Sequence, residues 1–330
     1  MKYKAFFTEE NTHNEFRRSI AELDTKDLPQ NGVLIKVHYS SLNYKDALSA
    51  SGHKGITRNY PFQPGIDAAG VVVESNSSDI KSGDEVIVTG YDLGMNTPGG
   101  FGQYINVPAE WIVPLPEGLS LKDSMFYGTA GFTAAICMHE ILLREIPKST
   151  KPVLVTGATG GVGIAAVGFL SKLGYNVCAS TGKPHAEAML KDIGNADIIS
   201  REDAAYDNGK PLQSAKWASV VDTVGGDTLA ASIRSTDMHG IICCLGNVAD
   251  DKFCSSVYPF LLRGVSVIGI DSASKNMELR KKLWSKIAGE WKIDKLHKYI
   301  KEVSLDGLDN EIDLILKGQQ KGRVILNLLK

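Results

Sequence analysis

The run Val153-Leu154-Val155-Thr156-Gly157-Ala158-Thr159-Gly160-Gly161-Val162-Gly163 decides how this chain of 330 residues is read. Its first four residues are aliphatic or β-branched, as a short buried strand requires. The glycines that follow permit a tight turn, and from Val162 the sequence becomes helical in character. Strand, glycine turn and helix in that order make a cradle for a phosphate. Bare backbone can approach the anion closely, and the amide N–H groups at the helix start meet its charge. A glycine-rich turn without a ligand is the competing reading. Context favours a dinucleotide, because the loop opens a long alternating series.

Downstream, a helix to Leu173 is followed by the strand Asn176-Val177-Cys178-Ala179-Ser180 and a helix through Met189, Leu190 and Ile193. Ile198-Ile199-Ser200, Ser219-Val220-Val221-Asp222, Ile241-Ile242-Cys243-Cys244-Leu245 and Val265-Ser266-Val267-Ile268-Gly269-Ile270 continue as short strands rich in Val and Ile. Such runs are buried on both faces. The alternation predicts an α/β fold, a doubly wound parallel sheet of the Rossmann type. Upstream the character differs. Gly32 to Val37, Ala69 to Glu74, Gly83 to Val88 and Tyr104 to Val107 are β runs separated by turns, so residues 1–122 read as mainly β. The shift comes at Leu121, where Lys122 to Leu143 loses its prolines and gathers Ala, Met, Phe and Leu. That shift gives a nucleotide-binding domain over 123–271. The last segment, from Lys275 to Lys330, reads as amphipathic helix ending in the strand Val324-Ile325-Leu326.

The form of the dinucleotide depends on the end of the second strand, where an acid would accept bonds from the free ribose 2′-hydroxyl of NAD. No acid stands there. The chain offers Ser180-Thr181-Gly182-Lys183, hydroxyls and a cation that suit a 2′-phosphate, and Arg201 supplies a second cation after the third strand. NADPH is therefore the expected cofactor. A solvated surface cation is the plainer reading of either residue.

Composition narrows the partners. With 36 Lys+Arg against 38 Asp+Glu, the net charge of -2 gives no global field toward nucleic acid or an anionic membrane. A small molecule is the expected partner. The first ten residues are charged early and lack a signal peptide's apolar stretch, which points to the cytoplasm. No run is expected to reach the roughly 20 apolar residues that cross a bilayer. The 5 cysteines, Cys137, Cys178, Cys243, Cys244 and Cys254, show no C-x-x-C spacing and read as reduced thiols. No metal site is expected either: His13, His38, His53, His139, His185, His239 and His297 are scattered, and no cysteine precedes Cys137 to join His53 and Asp67.

Several segments together resemble the medium-chain dehydrogenase/reductase superfamily: Gly65-Ile66-Asp67-Ala68-Ala69-Gly70, Gly83-Asp84-Glu85-Val86, Gly128-Thr129-Ala130-Gly131-Phe132-Thr133-Ala134, the glycine loop, and Gln320-Lys321-Gly322-Arg323-Val324. Zinc alcohol dehydrogenases carry a ligand-bearing G-H-E motif where this sequence has Gly65-Ile66-Asp67, so the resemblance is to the zinc-free quinone oxidoreductase branch. Within it, Ser41-Leu42-Asn43-Tyr44-Lys45-Asp46-Ala47-Leu48, Tyr258-Pro259-Phe260-Leu261-Leu262-Arg263-Gly264-Val265 and Ile268-Gly269-Ile270-Asp271-Ser272 look like the YhdH/YhfP group, which includes NADPH-dependent acrylyl-CoA reductases.

The resemblance implies a GroES-like catalytic domain, residues 1–122 completed by 272–330, with the nucleotide-binding domain inserted and the active site in a cleft between them. It places Tyr44 near the nicotinamide, and Thr159, Gly160, Gly161, Val162 and Gly163 at the pyrophosphate. Thr181, Gly182, Lys183 and Arg201 fall at the 2′-phosphate, and Leu245, Ile270 and Arg323 line the cofactor. The implied reaction carries hydride to the β-carbon of an enoyl-CoA thioester, with Asn43 and Tyr44 as donors toward the thioester oxygen and Asp46 orienting Lys45 or Tyr44. Asn43-Tyr44-Lys45-Asp46 also reads as a plain helix cap, since Asn is a good N-cap residue. A quinone or general enone is the rival acceptor, and a non-catalytic NADPH-binding redox sensor is the rival of another class. A homodimer paired through Val265 to Ile270 is expected from the same resemblance.

Overall fold

A computed structural model describes residues 1–30, 32–148, 151–183 and 186–330. The chain divides into two units, Met1–Thr129 with Ala273–Gly289 and Lys298–Lys330, and Ala130–Ser272 with Glu290–His297.

The first unit opens with β1 (Lys2–Glu10) and β2 (Phe16–Asp24), paired antiparallel along their length. After them come β3 (Val33–Ser41), the short helix α1 (Tyr44–Ala50), β4 (Asp67–Ser75), β5 (Glu85–Thr89), β6 (Tyr104–Val107) and β7 (Ile112–Pro114). The helix α2 (Leu121–Leu143) then carries the chain onward. The second unit contains β8 (Val153–Val155), α3 (Gly161–Lys172), β9 (Val177–Ser180), α4 (Glu187–Gly194), β10 (Asp197–Ile199) and α5 (Arg201–Ala204). It continues with β11 (Ser219–Asp222), α6 (Gly226–Ser235), β12 (Ile241–Cys244), α7 (Tyr258–Arg263) and β13 (Ser266–Gly269). The return segment adds α8 (Met277–Ala288), β14 (Ile300–Val303), α9 (Leu305–Leu316) and β15 (Arg323–Asn327).

In the first unit β3 is central. The sheet runs β14-β15-β3-β4-β5-β7, with β6 also paired to β3. Its inward residues, among them Val33, Ile35, Val37, Val86 and Ile105, meet Leu308 and Ile312 of α9 in one core, so the C-terminal residues complete the mainly β, GroES-like unit. In the second unit six parallel strands lie in the order β10-β9-β8-β11-β12-β13. The chain winds outward from β8 to β10, then crosses back to β11, so strand order reverses between β8 and β11. Doubly wound sheets bind their ligands at such a reversal, outside the carboxyl ends of the strands.

Two expectations need correction. First, α2 is long and apolar enough by length and composition to cross a membrane, although most of it is buried inside the protein. It is also broken, since Gly128 sits at φ 48°, ψ -151° within it. The division into units falls beside that break, at Thr129, rather than at the change of composition near Leu121. Second, Glu290–His297 belongs with the second unit. Trp291 is buried there with its ring 5.9 Å from that of Phe169, and ion pairs from Lys172 to Asp294 (2.9 Å) and Lys295 to Asp192 (2.7 Å) fasten the segment.

Candidate functional site

Every residue expected to hold a dinucleotide in the second unit lies at or just beyond the carboxyl end of a parallel strand. Thr159, Gly160, Gly161, Val162 and Gly163 follow β8, and Thr181, Gly182 and Lys183 follow β9. Arg201 follows β10, Leu245 follows β12 and Ile270 follows β13. The last two are half-buried and tied down by backbone bonds, Leu245 N to Asp222 O (3.1 Å) and Ile270 N to Cys244 O (3.0 Å).

The glycine loop is shaped by what packs beneath it. Gly157 has φ +57°, and a Cβ there would strike Thr223 Oγ1. A Cβ on Gly163 would stand 2.5 Å from Gly157 O and 2.6 Å from Ala158 Cα, so only glycine lets α3 start this close to β8. The ends of β8 and β11 are stitched together by side chains. Thr156 Oγ1 donates to Asp222 Oδ1 (2.7 Å) and accepts from Thr223 N (3.0 Å), while Thr223 Oγ1 donates to Thr156 O (2.9 Å). Asp222 Oδ2 accepts from Gly225 N (2.9 Å), and burial pushes this carboxyl above its ordinary range. The first amides of α3 have no acceptor within a helix turn of their own, as at any helix start. They are the donors a pyrophosphate would take.

At the neighbouring strand end, Thr181 Oγ1 accepts from Lys183 N (3.0 Å) and lies 3.5 Å from Thr159 Oγ1, which joins the end of β9 to the loop. Arg201 lies over Gly182, where a Cβ would come 2.6 Å from its Nε. Burial, and then the charge of Arg201, hold the Lys183 ammonium below its usual value. Two cations therefore converge beside a bare glycine. This arrangement fits a dianionic phosphate, whose arrival would relieve their mutual repulsion.

The first unit gathers the other candidates. Asn43 is the N-cap of α1 with extended backbone, so the capping reading of Asn43-Tyr44-Lys45-Asp46 describes its local structure. Tyr44 is the first helical residue, with 51% of its surface exposed. Asp46 is fully buried and orients neither Lys45 nor Tyr44 directly: its Oδ2 accepts from Asn43 N (2.8 Å) and Nδ2 (3.0 Å), its Oδ1 from Ile66 N (2.7 Å). Burial, with the Asp67 charge adding to it, pushes the Asp46 carboxyl up to about 7. Asn43 Nδ2 also donates to Asp67 Oδ2 (2.8 Å). Its amide protons thus face two carboxylates, which removes Asn43 as a donor toward a thioester oxygen. Arg323 is likewise enclosed: Nε donates to Phe126 O (3.0 Å), Nη1 to Leu42 O (2.7 Å), and Nη2 to Ser41 Oγ (2.8 Å), with Asp67 Oδ2 at 3.5 Å. Its guanidinium is engaged by the protein itself, which argues against the cofactor contact expected of it.

Asp67 is the functional candidate that sequence reasoning passed over, having weighed it only as a metal ligand. The signal was present, as one acid opens the otherwise apolar run Asp67-Ala68-Ala69-Gly70-Val71-Val72. Among the described residues no three His, Cys, Asp or Glu side chains are grouped as a metal ion would need, and His185 lies outside the described residues.

Residues 29–117 match the alcohol dehydrogenase GroES-like domain, and residues 161–288 the zinc-binding dehydrogenase family. YhfP of Bacillus subtilis is 44% identical over 310 residues, 94% of each chain, and its crystal structure with NAD bound superposes with a TM-score of 0.96 over 99% of this chain and 100% of that one. The acrylyl-CoA reductase AcuI of Ruegeria pomeroyi is 40% identical over 309 residues, again 94% of each. The YhdH oxidoreductase of Salmonella enterica, in complex with NADP, is 34% identical with a TM-score of 0.94 over 99% of both chains.

Proposed function

Since this chain belongs to the quinone oxidoreductase-like branch of the medium-chain dehydrogenase/reductase superfamily, we propose that it reduces the activated C=C bond of a short enoyl-CoA, acrylyl-CoA first among them, with NADPH. The observation that carries the cofactor is the pair Lys183 and Arg201 meeting at Gly182 where an NAD-selective site would present an acid. Bound there, NADPH would supply a hydride to the β-carbon, and a proton taken up from solvent at the α-carbon would complete the saturated acyl-CoA. The chain's own contribution is positioning and charge. The first amides of α3 hold the pyrophosphate, and Thr181, Lys183 and Arg201 hold the 2′-phosphate. Leu245 and Ile270 present apolar walls at the ends of their strands. On the substrate side the Tyr44 hydroxyl donates toward the thioester oxygen, where negative charge grows as the double bond is reduced. Asn43 and Asp46 keep that helix start in place. No metal ion enters this scheme, since a conjugated acceptor carries its developing charge onto its own oxygen. The same reading makes the protein a cytoplasmic homodimer. The likeness to the acrylyl-CoA reductase AcuI supports the thioester, and the likeness to YhfP, classed with the quinone oxidoreductases, makes a quinone the rival acceptor.

The test is NADPH oxidation against acrylyl-CoA and longer enoyl-CoA esters, a free enone and a simple quinone, with NADH as cofactor control. Preference for acrylyl-CoA and NADPH is expected. Faster quinone turnover would reverse the choice of acceptor. Tight NADPH binding without oxidation by any of them would leave a redox sensor instead.

A further inference from the structure

Three separate segments of the first unit meet on one side chain. Asp67, with no exposed surface, opens β4. Its Oδ1 accepts from Thr129 N (2.8 Å) and Thr129 Oγ1 (2.6 Å). Its Oδ2 accepts from Ser41 Oγ at the end of β3 (2.6 Å) and Asn43 Nδ2 before α1 (2.8 Å), with Arg323 Nη2 of β15 at 3.5 Å. A buried carboxylate is strongly unfavourable without donors, and here each oxygen accepts at least two hydrogen bonds. Gly128 leaves the room: a Cβ there would collide with Asp67 Oδ2 and come 2.7 Å from Ser41 Oγ.

This concentration of donors is more than a helix start requires. Asp46 already accepts from Asn43 N, which secures the first turn of α1. The Asp67 bond adds control over the Asn43 side chain, and Arg323 adds control over the residue before it. Arg323 Nη1 holds Leu42 O (2.7 Å), and Leu42 N donates to Val324 O (3.1 Å). The two residues that lead into Tyr44 are thus clamped from β4 and β15. Tyr44 is itself half exposed, so its backbone direction is the main control on where its hydroxyl goes.

We infer that Asp67 is a positioning residue for Tyr44, acting through Asn43 while Arg323 balances its charge, an inference that rests on the role proposed for Tyr44. Loss of the Asp67–Asn43 bond lets the start of α1 shift, and a displacement of about 1 Å at a reacting group costs up to roughly a hundred-fold in rate. The groups proposed to hold NADPH by its phosphates are the first amides of α3 with Thr181, Lys183 and Arg201, so the expected effect is on turnover rather than on NADPH affinity.

The experiment compares wild type, Asp67→Asn, Asn43→Ser and the double variant in steady-state turnover of acrylyl-CoA, with NADPH affinity measured by fluorescence and melting temperature recorded for each. In Asp67→Asn and Asn43→Ser, kcat falls by about ten- to a hundred-fold at unchanged NADPH affinity. The double variant is no slower than the slower single one, because both remove the same bond. Losses that multiply, or kcat retained in Asp67→Asn alongside a lowered melting temperature, would reduce Asp67 to a purely structural residue. If Asp67→Asn does not fold, an unchanged kcat in Asn43→Ser has the same force. A wild type inactive toward enoyl-CoA, enone and quinone alike would overturn the proposed function and this inference together; an active wild type with indifferent variants overturns this inference alone.

Discussion

Lys183 and Arg201 occupy the ends of adjacent strands, and on the proposed reading their convergence favours a phosphate over a hydroxyl. Replacing Lys183 by Ala removes one charge-assisted bond, which weakens NADPH binding by about ten- to a hundred-fold and leaves NADH binding nearly unchanged. Calorimetric titration with both nucleotides checks this, and an equal loss for both would refute the 2′-phosphate assignment. The placement of these two cations was legible in the sequence because each follows a recognisable strand. Asp46 was legible only as a polar residue in a helix start, since its burial comes from residues distant in the chain. Its carboxyl, pushed up to about 7 from an ordinary 3.8, keeps a proton in the folded protein that the unfolded chain has already released. Its contribution to stability is therefore complete below about pH 4 and lost as pH rises through about 7. Unfolding free energy measured across that window should decline, and Asp46→Asn should flatten the decline. An identical slope in the variant would show that Asp46 is already ionised in the fold.

Among the elements, the glycine loop was the most readable, because strand, turn and helix are contiguous and Gly157 and Gly163 each answer to a local contact. The break in α2 was not. A glycine inside an apolar helical run is ordinarily tolerated at a cost of about 1 kcal/mol, so nothing in Phe126-Tyr127-Gly128-Thr129-Ala130 announces a kink. The kink is imposed from outside, by the carboxylate of Asp67 that draws in both the amide and the hydroxyl of Thr129. Ordinary helix logic would make Gly128→Ala stabilising. Here φ is +48° and a Cβ would meet Asp67 and Ser41, so the substitution should destabilise by about 2 kcal/mol or more. Denaturant unfolding measures the difference, and a stabilised Gly128→Ala protein would mean that α2 runs straight through this position.

At the scale of the whole molecule, a mainly β part and an alternating α/β part could be told apart from the change of composition near Leu121, whereas the return of Glu290–His297 to the second unit could not. Trp291 and Ile293 look alike in sequence whichever core takes them. The proposed homodimer belongs to this scale too. β13 is the last strand of its sheet, and Ser266-Val267-Ile268-Gly269 carries none of the lysines or prolines that usually guard an exposed edge. The adjacent α7 and the residue before it present Val257, Tyr258, Leu261 and Leu262 to solvent, with Leu261 74% exposed. Arg263 offers no protection, since its guanidinium turns inward to the carbonyls of Gln213, Arg234 and Thr236. An unguarded strand edge beside an apolar helix suits a second copy related by a two-fold axis, because each edge then completes the other. Sedimentation equilibrium should give the mass of a dimer for the wild type and of a monomer for Leu261→Asp/Leu262→Asp. These side chains lie outside the cores, so the variant should keep its secondary structure by circular dichroism. A wild type that sediments as a monomer, or a doubly substituted protein that remains dimeric, would place the association elsewhere or remove it.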